Sequence, residues 1–199
     1  MSWHRGLAVF LLPAIILALV PGRNARAQTL LRENAENGTA NILDNVGGDF
    51  QLIQSETVAE GDFAFHLANP NFDDKWFAID ETLSIQPDSK LFFLSRLGWA
   101  TNRQFARVQL STNGGTSWPT TIYSQAGTGD EGEGSFTLKE VDLAPYANQN
   151  VRLRFFFEFT NGSAFTQTDS EVGWFIDDIQ VGDEFGKLAW SIGDPTPHE

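Results

Sequence analysis

The sequence predicts an all-β fold, an antiparallel jelly-roll β-sandwich of two sheets, on three observations. Apolar residues alternate with a period of two, and no helical period runs along the chain. The alternating runs are short and punctuated by Gly, Asn, Asp and Pro. The 199 residues are 41% hydrophobic and include 17 Phe and 6 Trp, enough large apolar surface to close a sizeable core. There is no cysteine, so that core must hold without disulfides. Lys and Arg number 13 against 26 Asp and Glu, a formal charge of -13. This balance argues against nucleic acid and anionic membrane surfaces as partners, since both require a basic footprint.

Residues 1–27 have the three-part layout of a secretory signal peptide: His4 and Arg5, an apolar run from 7 to 20, and Ala25-Arg26-Ala27 before Gln28. The run contains Pro13 and is shorter than the roughly 20 residues a bilayer span requires. The expected product is secreted, extracellular or periplasmic, without membrane insertion of the mature chain. It is more acidic than its precursor, because Arg5, Arg23 and Arg26 leave with the leader. One domain is expected over residues 28–182, followed by a C-terminal tail over 183–199.

About nine strands are expected within that domain. Residues 50–55, 63–68 and 76–85 supply the first three. Lys90–Leu97 is apolar on both faces at Leu91, Phe92, Phe93 and Leu94, as suits a strand covered on both sides. Ala106, Val108 and Leu110 then alternate with Arg107, Gln109 and Ser111. The following Asn113-Gly114-Gly115 tolerates positive φ and predicts a tight hairpin into 118–124. Residues 126–135 are rich in Gly and acids and predict an exposed, solvated loop. Across 136–143 the apolar phase switches from Phe136 and Leu138 to Val141 and Leu143, which predicts a β-bulge near Lys139 and Glu140. Asp142 and Tyr146 are expected to organise the turn around Pro145. In 151–159 the odd positions, Val151 to Phe159, form an apolar face, while Arg152, Arg154, Phe156 and Glu158 form a mostly wet one. Residues 173–181 make the last strand. Trp118 and Trp174 are expected to pack in the core.

Four segments in order, from Val108 to Trp118, Val141 to Tyr146, Val151 to Phe155 and Gly173 to Val181, resemble the bacterial MAM-like jelly-roll modules that accompany immune-inhibitor-A type metallopeptidases and other bacterial surface proteins. Glu36-Asn37-Gly38 is similar to the opening strand of such modules, and the stretch from Asp74 to Ile79 to the segment leading into their second sheet. The cysteines of the animal MAM domain are missing, and no peptidase sequence precedes the module in these residues, so the resemblance carries no peptidase activity with it. It implies a calcium ion between Glu36 and Asp178, with Asp177, Asp62 and Asp74 as weaker additions. A physical reason accompanies the dyad: Asp177 and Asp178 lie between Ile176 and Ile179, where unpaired charge is costly. A cation would compensate that charge. The alternative is that one aspartate is solvated while the other accepts backbone N–H groups.

Catalytic signatures are sparse. After the leader only His66 and His198 remain, and His66 lies between Phe65 and Leu67 as an ordinary strand position would. There is no His-Glu-x-x-His and no glycine-rich phosphate loop. Carboxylates are plentiful enough for a glycosidase pair, which leaves that class open. The expected function is a non-catalytic binding or adhesion module for glycan or extracellular protein, stabilised by calcium. The alternatives are a small carboxylate-based glycoside-active enzyme and a structural subunit of a surface assembly. Asn37 and Asn161 fit the N-glycosylation pattern, whose use a bacterial source disfavours.

Overall fold

The computed structural model describes residues 29–186. The expected signal peptide and most of the expected tail lie outside them. Twelve strands form among the described residues: β1 (Thr29–Glu33), β2 (Ile42–Asp44), β3 (Ile53–Gln54), β4 (Ala64–Leu67), β5 (Lys75–Ile79), β6 (Leu83–Ser84), β7 (Lys90–Leu97), β8 (Gln104–Ser111), β9 (Thr120–Ala126), β10 (Thr137–Asp142), β11 (Asn150–Phe159) and β12 (Trp174–Gly182). The first sheet runs β10-β7-β12-β4-β3, with β1 also on β12. The second runs β2-β5-β11-β8-β9, with β6 also on β11. All strand pairs are antiparallel. This is the predicted jelly-roll sandwich.

Alternation on the long strands decides which side faces in. Val151, Leu153, Phe155 and Phe157 of β11 are buried, and Arg152, Arg154, Phe156 and Glu158 point outward and are half-buried. Between the sheets, Phe155 stacks on Phe77 at 4.9 Å and meets Phe93 edge-on at 5.4 Å. Trp174 is fully buried beside them, and its indole N–H donates to Ser95 Oγ at 2.9 Å, so the one polar atom of the ring is satisfied. β7 is central, as its two-sided apolar pattern predicts: Phe93 faces the core, and Phe92 faces outward onto Phe185.

Several local expectations are corrected. The phase switch in β10 produces no bulge, because residues 137–142 pair with β7 in unbroken register. Leu138 simply faces solvent, 46% exposed. The register shifts fall elsewhere: in β8–β9 after Val108, in β12 between Asp177 and Gln180, and in β1 between Thr29 and Leu31. The second has a topological cause: on one side of β12, β4 pairs with 174–176 and β1 takes over at Ile179, so the strand bends at the handover, with Asp178 at φ 42°. Residues 76–85 divide into β5 and β6, and β1 and β2 are strands that the periodicity missed. Glu36-Asn37-Gly38 forms a turn and not an opening strand. The β8–β9 hairpin exists, with Gly114 and Gly115 at φ 71° and 86°, but its loop spans 112–119 and is not tight. Trp118 is therefore carried out of the core. Asp142 does organise the turn at Pro145, its Oδ1 accepting the Ala144 N–H at 2.9 Å. Most of 126–135 is exposed, but Glu133 fastens it, accepting the Leu97 N–H at 2.7 Å. Among the described residues no helix is long and apolar enough to cross a membrane.

Candidate functional site

Register places the outward residues of the second sheet in rows. Phe156 of β11 lies between Trp76 of β5 and Arg107 of β8, and Arg154 lies between Ala78 and Gln109. Glu158 is opposite Phe105. The long β8–β9 loop folds Trp118 back over this face. The Arg154 guanidinium carbon thus sits 4.8 Å from the Phe156 ring centroid, 4.9 Å from Trp118 and 5.6 Å from Trp76. Gln109 Oε1 accepts from Arg154 Nε at 3.0 Å and also from Nη2. Burial lowers the affinity of this guanidinium for its proton, and the Asp74 carboxylate opposes that shift.

The neighbouring rows carry unspent polar capacity. Arg107 lies 4.9 Å over the Phe105 ring and 2.7 Å from Glu158 Oε2. Glu158 Oε2 is engaged in that ion pair, while Arg107 Nε is covered and makes no hydrogen bond among the described residues. Arg152 Nε is in the same condition, while Arg152 Nη2 binds Asp80 and the Ile79 carbonyl. The face offers ring surface for C–H groups, with donors and an acceptor beside it.

Four of the five residues considered for calcium have carboxylates bound to other partners, and the fifth, Asp62, is bonded through its backbone. Asp177, fully buried, accepts the Ala59 and Glu60 N–H groups on Oδ2 at 3.0 Å each and the Asp178 N–H on Oδ1 at 2.7 Å. Burial raises its pKa and these bonds oppose the rise. Asp178 pairs with Arg32 at 3.0 Å. Glu36 Oε1 accepts the N–H groups of Asp62 and Phe63, each at 2.9 Å, so Asp62 meets Glu36 through its backbone. Asp74, near the second sheet's outer face, accepts the Phe159 N–H at 2.9 Å. Among the described residues no group of three or more His, Cys, Asp or Glu is placed to hold a metal ion. His66 is buried in β4, stacked on Phe175 at 4.4 Å, with Nε2 2.7 Å from the Val172 carbonyl oxygen.

The sequence identified Arg152, Arg154, Phe156 and Glu158 as one wet face but gave no reason to add Trp76 and Trp118, which come from another strand and a loop. An aromatic and two arginines on the polar side of a strand was the available signal.

Two cleaved adhesin domains of Lys-gingipain from Porphyromonas gingivalis are similar in structure. One superposes with a TM-score of 0.53 at 18% identity, covering 78% of this chain and 98% of that domain. Another gives 0.53 at 15% identity, covering 77% and 97%. Such a likeness establishes the fold, a jelly roll shared with adhesin domains. No family model and no curated protein matches the sequence.

Proposed function

We propose that the protein is a secreted, non-catalytic binding module that takes a glycan on the outer face of its second sheet. The observation that carries this reading is the outward lattice of rings, Trp76, Trp118, Phe156 and Phe105, with the guanidinium groups of Arg107 and Arg154 among them and Arg152 and Glu158 beside it. A sugar matches both features, stacking its C–H face on a ring and using its hydroxyls as donors and acceptors. The fold shared with adhesin domains supports a binding role, and the leader-like residues 1–27 support export.

The test is a glycan array followed by affinity electrophoresis on the best polysaccharide. Trp76→Ala and Trp118→Ala should each weaken retention by about tenfold, the scale of one lost ring contact, while circular dichroism is unchanged. Retention equal to wild type in both variants, or release of reducing sugar by the wild type, overturns the proposal.

Calcium is a separate proposal, supported by the resemblance around Glu36 and Asp178 and by the bend at Asp178. It requires Arg32 to release Asp178, since the contacts described above form no donor set. A site of this kind would raise stability by about 2.7 kcal/mol at a hundredfold excess of calcium over Kd. Melting in calcium and in chelator, for wild type and Asp178→Asn, decides it: equal melting in all four samples means no site.

A further inference from the structure

The outer face of the first sheet holds a cavity of about 410 Å3 between residues 50–56 and residues 168–170. Its apolar surface comes from Phe50, Ile53 and Phe175, and the His66 imidazole lines it among them. His66 is 3% exposed, stacked on Phe175 and 5.4 Å from the Phe50 ring. A carbonyl oxygen only accepts, so the 2.7 Å contact with Val172 requires Nε2 to carry a proton. Burial pushes the His66 pKa down to about 4, so the ring is neutral near neutral pH and Nδ1 is a bare acceptor. Of the two ring nitrogens, Nε2 is the one engaged with the Val172 carbonyl.

The charged groups at the cavity are of one sign. Glu56 and Asp169 line it, and the Asp169 carboxylate is close enough to act on the imidazole. Asp169 Oδ1 accepts the Glu171 N–H at 3.1 Å, and its backbone carbonyl accepts the Val172 N–H. Among the described residues no Lys or Arg lines the cavity. Arg96, 5.5 Å from the Phe175 ring centroid, is committed to the carbonyls of Glu133 and Ser170 and to the Glu171 carboxylate. The cavity therefore combines an apolar aromatic body with three acceptors and no competing positive charge.

We propose that this cavity binds a compact organic ammonium, its N–H groups directed to His66 Nδ1, Glu56 and Asp169 and its carbon body against Phe50, Ile53 and Phe175. The reading is independent of the glycan face, which lies on the other sheet.

The probe is cyclohexylammonium chloride, with cyclohexanol as the neutral comparator of the same body, followed by 15N–1H chemical-shift changes in the full chain at neutral pH. Cyclohexylammonium should shift resonances of residues 50–56 and 168–170, and cyclohexanol should bind at least about tenfold more weakly, the worth of a charge-assisted hydrogen bond. Glu56→Gln, at an exposed position, and Asp169→Asn should each weaken the ammonium by a similar factor, as should His66→Phe if it folds, while Trp76→Ala should leave it unchanged. Equal binding of the two probes, shifts confined to the second sheet, or no effect of Glu56→Gln and Asp169→Asn overturns the proposal.

Discussion

The two outer faces of the sandwich are built from similar residues and put them to different uses. On the first sheet, Phe175, His66 and Arg96 form a row across three strands, and residues 50–60 cross over them, tied down by Phe50 on His66, the Thr57 hydroxyl on the Ser170 carbonyl, and Asp177 on the Ala59 and Glu60 N–H groups. On the second sheet, Phe156, Trp76 and Arg154 form a comparable lattice that only Trp118 of the β8–β9 loop reaches over among the described residues, and its rings stay half-buried. A covered face converts its polar groups into structure. An uncovered face keeps them for a ligand, so substitutions among the tied-down groups of the first, outside the cavity at Glu56 and Asp169, should register mainly in stability and on the second mainly in binding.

The largest effect belongs to neither face and calibrates both. Phe155→Ala removes a fully buried ring that touches Phe77, Phe93 and Trp174, and should cost about 3–5 kcal/mol in urea unfolding. On the covered face, His66 supplies a pH dependence. Its pKa falls from 6.5 to about 4 on folding because burial penalises the charged ring. The unfolded chain therefore takes up the proton first, and stability that is full above 6.5 declines as pH falls toward 4, by at most about 3 kcal/mol at 1.36 kcal/mol per unit. His66→Phe should flatten this slope in melting curves taken across that window; an unchanged slope would assign it to the carboxylates. Asp177→Asn comes next, at about 1–3 kcal/mol, because an amide NH2 must then oppose one of three backbone N–H donors. Wild-type stability in the variant would show that residues 50–60 are held without this carboxylate.

The covered and uncovered faces were not equally legible in the sequence. Period-two alternation is a strong signal wherever a strand is long and one side is dry, which is why β7, β8 and β11 were readable residue by residue. It fails on short strands such as β1 and β2, whose existence depends on the edge of β12 and on β5 being available to pair with them. It also misplaced the bulge. An apolar Leu138 was assumed to need burial, yet a leucine can face solvent at small cost, whereas the β12 bend follows from a change of pairing partner that no local pattern encodes. Asp177 shows both sides of the matter: its position among isoleucines marked it as needing compensation, and it accepts backbone N–H groups, but Asp178, which the alternative to a cation would leave solvated, is buried and paired with Arg32. Which loop would donate them, 118 residues away in sequence, was beyond a local reading.

The smallest predicted effect tests the comparison most directly. Arg154 is the hub of the uncovered face, flanked by three rings and held by Gln109, and adjacent in sequence to the core residue Phe155. If the lattice were structural cladding, Arg154→Ala would approach the cost of a core truncation, since three aromatic contacts and a charge-assisted hydrogen bond would be lost. Each cation–π contact at a partly exposed site contributes only about 0.5–1 kcal/mol, however, and water can replace the Gln109 bond. The freed rings can also close on one another over the gap. Arg154→Ala should therefore cost about 1 kcal/mol in urea unfolding, well below Phe155→Ala, while reducing glycan retention as strongly as Trp76→Ala does. A loss above about 3 kcal/mol, the range of a core truncation, would place this face with the covered one and remove the physical basis for reading it as a ligand platform.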